Sequence, residues 1–189
     1  PLTRWLRGEK ITPGPAGSPY RGKFDVLPSG RNIYANDHLS LPSRSAFKQG
    51  EKIAAEFLKD YLQENGDWPK NIIIDLWASA TMRTNGEEFA VALCLLGSKP
   101  TWVDGTERIS GFEIIPLAVM NRPRIDVTLR VSGLFRDIFQ SLSKLYNQII
   151  HALSKREECK SLNPFGEEKE ISILNILALP PSTSLATLY

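Results

Sequence analysis

Hydrophobic periodicity is absent at the start of the chain, strong in the middle and ambiguous at the end. Over residues 8–30 Gly and Pro recur, as in Thr12-Pro13-Gly14-Pro15-Ala16-Gly17-Ser18-Pro19, which predicts an extended segment running over a surface. Pro42-Ser43 then opens a helix with Ser43 as N-cap. Phe47, Ile53, Ala54, Phe57, Leu58, Tyr61 and Leu62 recur on one face until Asn65-Gly66 stops it. Residues 71–77, Asn-Ile-Ile-Ile-Asp-Leu-Trp, form a continuous apolar run of the length and type of a buried parallel strand.

A polar loop over 78–83 is expected next, then a helix through Phe89, Ala92, Leu93 and Leu96 that ends at Gly97. Thr101-Trp102-Val103 reads as a second strand, Asp104-Gly105 as a turn, and residues 109–115 as a short excursion pairing back. A third strand spans 125–131. The loop Ser132-Gly133 leads from it into what reads as the longest helix, through Leu134, Ile138, Leu142, Leu145, Tyr146, Ile149, Ile150 and Leu153. This alternation predicts an α/β domain: a three-layer sandwich with a mostly parallel sheet, flavodoxin/Rossmann-like, over residues 43–164. An extended lead-in covers 1–42, and a tail with no clear pattern covers 165–189.

Composition narrows the function classes. Hydrophobic residues make up 42% and charged residues 23% of the 189, so a packed core is expected rather than disorder. Net charge is +2 without a basic block, which argues against nucleic acid. No apolar run approaches the roughly 20 residues of a membrane span. Neither an initiator Met nor a signal-peptide core opens the sequence, the pattern of a mature or excised piece. Cys94 and Cys159 stand apart, which fits a reducing cytoplasm, and two histidines, His38 and His151, are too few for a His-rich metal centre. Neither GxxxxGK[ST] nor a GxGxxG after a strand occurs, so no ATP is expected on a phosphate loop of this chain.

In an open parallel sheet, ligands bind beyond the carboxyl ends of the strands. Two loops leave such ends: residues 79–87, with Arg83, Glu87 and Glu88, and residues 132–137, with Arg136 and Asp137. Guanidinium groups there suit the carboxylates of a ligand, such as propionates, and a carboxylate suits metal or proton handling. Structural readings stand beside these. Thr84-Asn85-Gly86-Glu87 has capping-box spacing, Arg136-Asp137 fits a solvated pair, Arg122-Pro123-Arg124 fits a rigid surface turn, and Trp77 fits a core position.

Several strings resemble the large subunit of cobaltochelatase and magnesium chelatase, in the same order and spacing over residues 8–164. Leu27-Pro28-Ser29-Gly30-Arg31-Asn32-Ile33-Tyr34 is similar to its LPTGRN segment, and Leu76-Trp77 with Thr84-Asn85-Gly86-Glu87 to its LWG…TxGE stretch. Leu96-Gly97-Ser98-Lys99-Pro100 is similar to LLGVRP. Residues 121–127 (Asn-Arg-Pro-Arg-Ile-Asp-Val) and 132–137 (Ser-Gly-Leu-Phe-Arg-Asp) are similar to GRPRIDV…SGLFRD. Asn163-Pro164 matches an element after the long helix. Ser29, His38 and Ser98 depart from the pattern, as does the tail from residue 171.

The resemblance implies an internal portion of a longer subunit that inserts Co2+ or Mg2+, as substrate, into a corrin or porphyrin in cobalamin or chlorophyll-type biosynthesis. It implies a cytoplasmic enzyme whose partners are the tetrapyrrole and separate AAA+ motor subunits that hydrolyse ATP, with no cofactor held by this chain and the isolated piece inactive. The Pro/Gly-rich lead-in leans toward the cobalt branch. Glu87 becomes the first choice for a catalytic carboxylate on the metal path or as proton acceptor. Arg31, Asn32, Arg83, Arg136 and Asp137 are expected at the pocket wall or on the ring's propionates, and no metal ligand is assigned. Two other readings remain: a non-catalytic α/β binding module, and a flavodoxin-like enzyme, for which Ala78-Ser79-Ala80-Thr81 is a poor phosphate loop.

Overall fold

Local end signals set most of the element boundaries. The computed structural model describes residues 2–14, 24–28, 30–31, 38–166 and 176–178. The chain divides into two compact units, residues 1–40 and 41–189. In the first, α1 spans Leu2–Leu6, short 3-10 turns span Phe24–Val26 and His38–Ser40, and the Gly14 N–H donates to the Arg31 carbonyl at 2.9 Å. Residues 15–23 of the expected extended segment lie outside the described residues, as do 167–175 and 179–189 of the tail.

The second unit starts with α2, Arg44–Asn65. The Ser43 hydroxyl caps it by accepting from the Ala46 N–H, and Gly66 ends it at φ 71°. Strand β1 (Asn71–Leu76) leads into α3 (Ala78–Thr84) and α4 (Glu87–Leu96), and Gly97 stops α4 at φ 77°. Then come β2 (Ser98–Trp102), β3 (Ile109–Ile114), the short α5 (Leu117–Met120) and β4 (Asp126–Val131). Helix α6 (Gly133–Ile138) is capped by the Ser132 hydroxyl, α7 covers Gln140–Ser154, and β5 is Ile176–Ala178.

The architecture is α/β with a parallel sheet, as expected. The sheet order is β1-β4-β5, with β1 and β4 parallel and in register from Asn71 opposite Asp126 to Leu76 opposite Val131. The strand read at 125–131 is in place, and the hairpin of residues 98–102 with 109–114 pairs back as expected, but the third member of the sheet differs. Residues 98–102 do not join this sheet but form an antiparallel pair with β3, and Ile176–Ala178 of the tail pairs parallel with β4 instead.

Helix α4 is apolar all round and sits at the centre of the core: Phe89, Ala90, Ala92, Leu93, Leu95 and Leu96 are all buried. It packs on α2 and against β1 and β4. At Gly50 of α2 an added Cβ would lie 2.7 Å from the Ala90 Cβ, so the two helices meet at a distance that only glycine allows. The buried face of the strands is Leu76, Val127, Leu129 and Val131. β1 is not apolar on both sides as its composition predicts. Ile73 is 65% exposed, and Asp75 pairs across the strands with Arg130 on the open face.

Two further expectations change. Residues 78–84 are a helix rather than a polar loop, anchored by buried Ala78 and Thr81. The helix expected through 134–153 breaks at Phe139 (φ −106°, ψ 44°), so α2, with 22 residues, is the longest helix among the described residues. No Gly or Pro marks that break. Phe139 is fully buried and its ring meets that of Phe135 at 5.1 Å, so packing, not a breaker residue, sets the bend.

Candidate functional site

The carboxyl ends of β1 and β4 form one edge. There the Ser132 N–H donates to the Leu76 carbonyl at 3.1 Å, tying the exit of β4 to the exit of β1. From this edge α3 and α6 rise as neighbouring short helices, Arg83 in the last turn of one and Arg136 in the last turn of the other. The structure therefore brings Arg83, Glu87, Arg136 and Asp137 to the same end of the sheet. Arg31 is exposed in the first unit, and Asn32 lies outside the described residues.

The turn between α3 and α4 decides how the acidic pair is used. Asn85 (φ 58°) and Gly86 (φ 88°) are both left-handed, and Gly86, not Thr84, is the N-cap of α4. A Cβ on Gly86 would also come within 3.2 Å of the Pro42 Cα. These constraints move the helix start two residues beyond the capping-box expectation, so Glu87 is the first residue of α4 rather than its third. The Thr84 hydroxyl accepts from the Glu87 N–H at 3.3 Å, and its single proton goes to Glu88 Oε2 (2.8 Å) or to the Ala80 carbonyl (3.1 Å). The carboxylate bound to Thr84 is thus that of Glu88. Among the described residues the half-buried Glu87 carboxylate has no hydrogen-bond or ion-pair partner.

Arg83 is exposed and likewise makes no side-chain bond to a described residue. Arg136 and Asp137 pair with each other at 3.2 Å, with side chains 58% and 67% exposed, the geometry of a solvated pair. Among the described residues no group of three or more His, Cys, Asp and Glu is placed to hold a metal ion, and no helix is long and apolar enough to cross a membrane.

The residues that sequence reasoning missed support this edge from the opposite end of α4. Arg124, expected in a surface turn, has a fully buried side chain. Its guanidinium forks onto Glu158 at 2.7 and 2.8 Å and donates to the carbonyls of Leu96 (3.1 Å), Gly97 (3.2 Å) and Ile115 (2.8 Å). Arg122 donates to Leu95 (3.1 Å) and Cys94 (2.5 Å). Four consecutive carbonyls at the negative end of α4 are therefore met by two cations. The Arg124 hydrogen bonds hold the Glu158 carboxyl below its ordinary value, and Arg156 at 3.1 Å and Asn163 Nδ2 at 3.0 Å complete its shell. The available signal was an Arg-Pro-Arg immediately before a buried strand, where a charged side chain needs a buried partner.

A family model described as CobN/Magnesium Chelatase matches residues 1–173. The chain belongs to the CobN/magnesium-chelatase family. This chelatase-family chain is 46% identical over 153 residues to an aerobic cobaltochelatase subunit CobN of a Sinorhizobium species, covering 81% of the chain and 12% of that relative. To a magnesium-chelatase subunit of Chlorobaculum parvum it is 36% identical over 163 residues, 86% of the chain and 13% of the relative. Among solved structures, the catalytic subunit of cobaltochelatase from Mycobacterium tuberculosis matches with a TM-score of 0.69 and 38% identity, over 87% of this chain and 14% of that one. The chain thus spans about an eighth of the length of the curated relatives it matches.

Proposed function

We propose that this chelatase-family segment forms part of the tetrapyrrole pocket of an ATP-dependent, cytoplasmic chelatase, and that Glu87 accepts the protons displaced as the metal enters. Two ring N–H protons must leave when a divalent ion, Co2+ or Mg2+ as substrate, takes their place. A positioned carboxylate speeds that step by roughly 10²-fold or more. The observation that carries the assignment is the division of labour at the start of α4: Glu88 is bound to Thr84, while the neighbouring Glu87 carboxylate has no described partner. Arg83 and Arg136 serve the ring's carboxylates, since an exposed pair such as Arg136–Asp137 is worth little and exchanges at small cost. Asp137 completes the pocket wall at this edge. ATP is hydrolysed by separate AAA+ motor subunits. Identity of 46% to a cobaltochelatase subunit against 36% to a magnesium-chelatase subunit favours cobalt and a corrin.

The test is Glu87→Gln in the full-length subunit assembled with its motor subunits. Ring binding is expected to stay within about twofold while metal insertion falls by about 10²-fold or more, the scale of one lost acid–base group. Insertion at near wild-type rate in a variant that still binds the ring ends the catalytic reading of Glu87.

A further inference from the structure

Of the four tryptophans, Trp77 and Trp102 stand at the carboxyl ends of strands, and the structure uses them differently. Trp102 is committed to the fold: its indole N–H donates to the Pro42 carbonyl at 3.1 Å, its ring meets Phe47 at 5.8 Å, and the Arg44 guanidinium lies 5.0 Å above it. Trp77, expected in the core, is 45% exposed, and among the described residues its indole N–H makes no hydrogen bond. It follows Leu76, the last residue of β1. Leu76 pairs with Val131, and Leu134, in the first turn of the helix that follows β4, is 56% exposed.

Loose packing does not explain this exposure. Leu76 and Ala78 on either side of Trp77 are 1% and 2% exposed, and Val131 and Phe135 near Leu134 are 0% and 1%. Two large apolar side chains are thus turned out of a closely packed edge: Trp77 directly before α3, which carries Arg83, and Leu134 within α6, which carries Arg136. A conjugated macrocycle with an apolar face and carboxylates at its rim has the complementary chemistry: one face for the indole and the leucine, charges at the edge for the guanidinium groups.

We infer that Trp77 and Leu134 form the apolar platform on which one face of the tetrapyrrole macrocycle rests. The inference builds on the reading of this edge as a tetrapyrrole pocket and adds the residues that select a macrocycle with an apolar face over other polycarboxylates. Trp77 stacks on the ring, Leu134 widens the apolar contact, and the cations fix the rotation of the disc.

The experiment titrates the full-length subunit with two probes, deuteroporphyrin IX and a cobalt-free corrin carboxylic acid, following the ring's absorption band. Trp77→Ala, Trp77→Phe and Leu134→Ser are compared with wild type, with thermal melts as a check on folding. For the ring that wild type binds, Kd is expected to rise about tenfold in Trp77→Ala, the scale of one lost aromatic stacking contact, and to stay within about threefold in Trp77→Phe. A rise of about threefold is expected for Leu134→Ser. A folded Trp77→Ala variant that binds as tightly as wild type overturns the platform and leaves the pocket reading intact. Should that variant melt early, unchanged binding by a folded Leu134→Ser decides against the platform in its place. Wild type that binds neither ring overturns the pocket reading itself, and the platform with it.

Discussion

Replacing Arg124 tests whether the buried guanidinium, rather than apolar packing alone, holds the far end of α4. Its side chain is inaccessible to solvent and makes the two-pronged contact with Glu158 and three bonds to main-chain carbonyls. Removing one partner of a buried ion pair costs about 3–5 kcal/mol when the other charge is left alone. Glu158 would not be alone, because Arg156 and Asn163 remain within 3.1 and 3.0 Å, which places the electrostatic loss at the low end. Against that, the carbonyls of Leu96 and Ile115 lose their donor at about 1 kcal/mol each, partly recovered by water entering the space, while Gly97 keeps the Ile115 N–H at 2.9 Å. Arg124→Ala is therefore expected to cost about 4 kcal/mol. Arg124→Lys should cost about 2 kcal/mol, since an ammonium serves the carboxylate or the carbonyls but lacks the fork. The exposed Arg136→Ala should cost less than about 0.5 kcal/mol. Urea unfolding followed by tryptophan fluorescence and far-UV circular dichroism measures all three. With a slope of about 2–3 kcal/mol per molar urea, the Arg124→Ala midpoint moves down by about 1.5 M. A shift under about 0.5 M, or one matched by Arg136→Ala, refutes the reasoning.

Two further outcomes follow from titrating groups. The folded state holds Glu158 below its unfolded value of about 4.3. Its contribution is therefore complete above that pH and lost as pH falls through the folded value, so the stability gap between wild type and Glu158→Gln should narrow below about pH 4 in urea titrations. Burial, and then Glu51, push the Cys94 thiol up to about 12, whereas Cys159 is exposed and lowered by its hydrogen bond with Ser161. A thiol reagent at pH 8 should label one cysteine rapidly, with that phase absent in Cys159→Ser and Cys94 reacting only in urea.

Features written in neighbouring residues were legible in the sequence. Ser43 starts α2, Gly66 and Gly97 stop α2 and α4, and the apolar runs at 71–77 and 125–131 are parallel neighbours. What was not legible depends on distant partners. Arg124 finds its carboxylate 34 residues away, so no local pattern distinguishes it from a surface arginine. Phe139 breaks a helix without a breaker residue, because buried rings rather than backbone preference set the bend. At the candidate site, an acidic residue at the head of α4 was readable. That Glu88 takes Thr84 and leaves Glu87 depends on two successive left-handed residues, Asn85 and Gly86, which a spacing rule does not see. Trp77 looked like core because its strand is apolar, yet the alternation of β1 and the turn into α3 bring it out.

The two ends of α4 have a mechanical consequence. At its head, Gly86 abuts Pro42, and the Ser43 N–H reaches the Asn85 carbonyl at 3.2 Å. At its foot, Arg122 and Arg124 grip the carbonyls of residues 94–97. The helix is a beam built in at both supports, and sliding it by one turn would release every one of those bonds at once. A movement imposed on this domain by a larger assembly would therefore carry α4 and the parallel strands as one stiff block. The β2–β3 hairpin, although it pairs with no strand of that block, would ride with it, because Trp102 ties the hairpin to Pro42 and to Phe47 of α2.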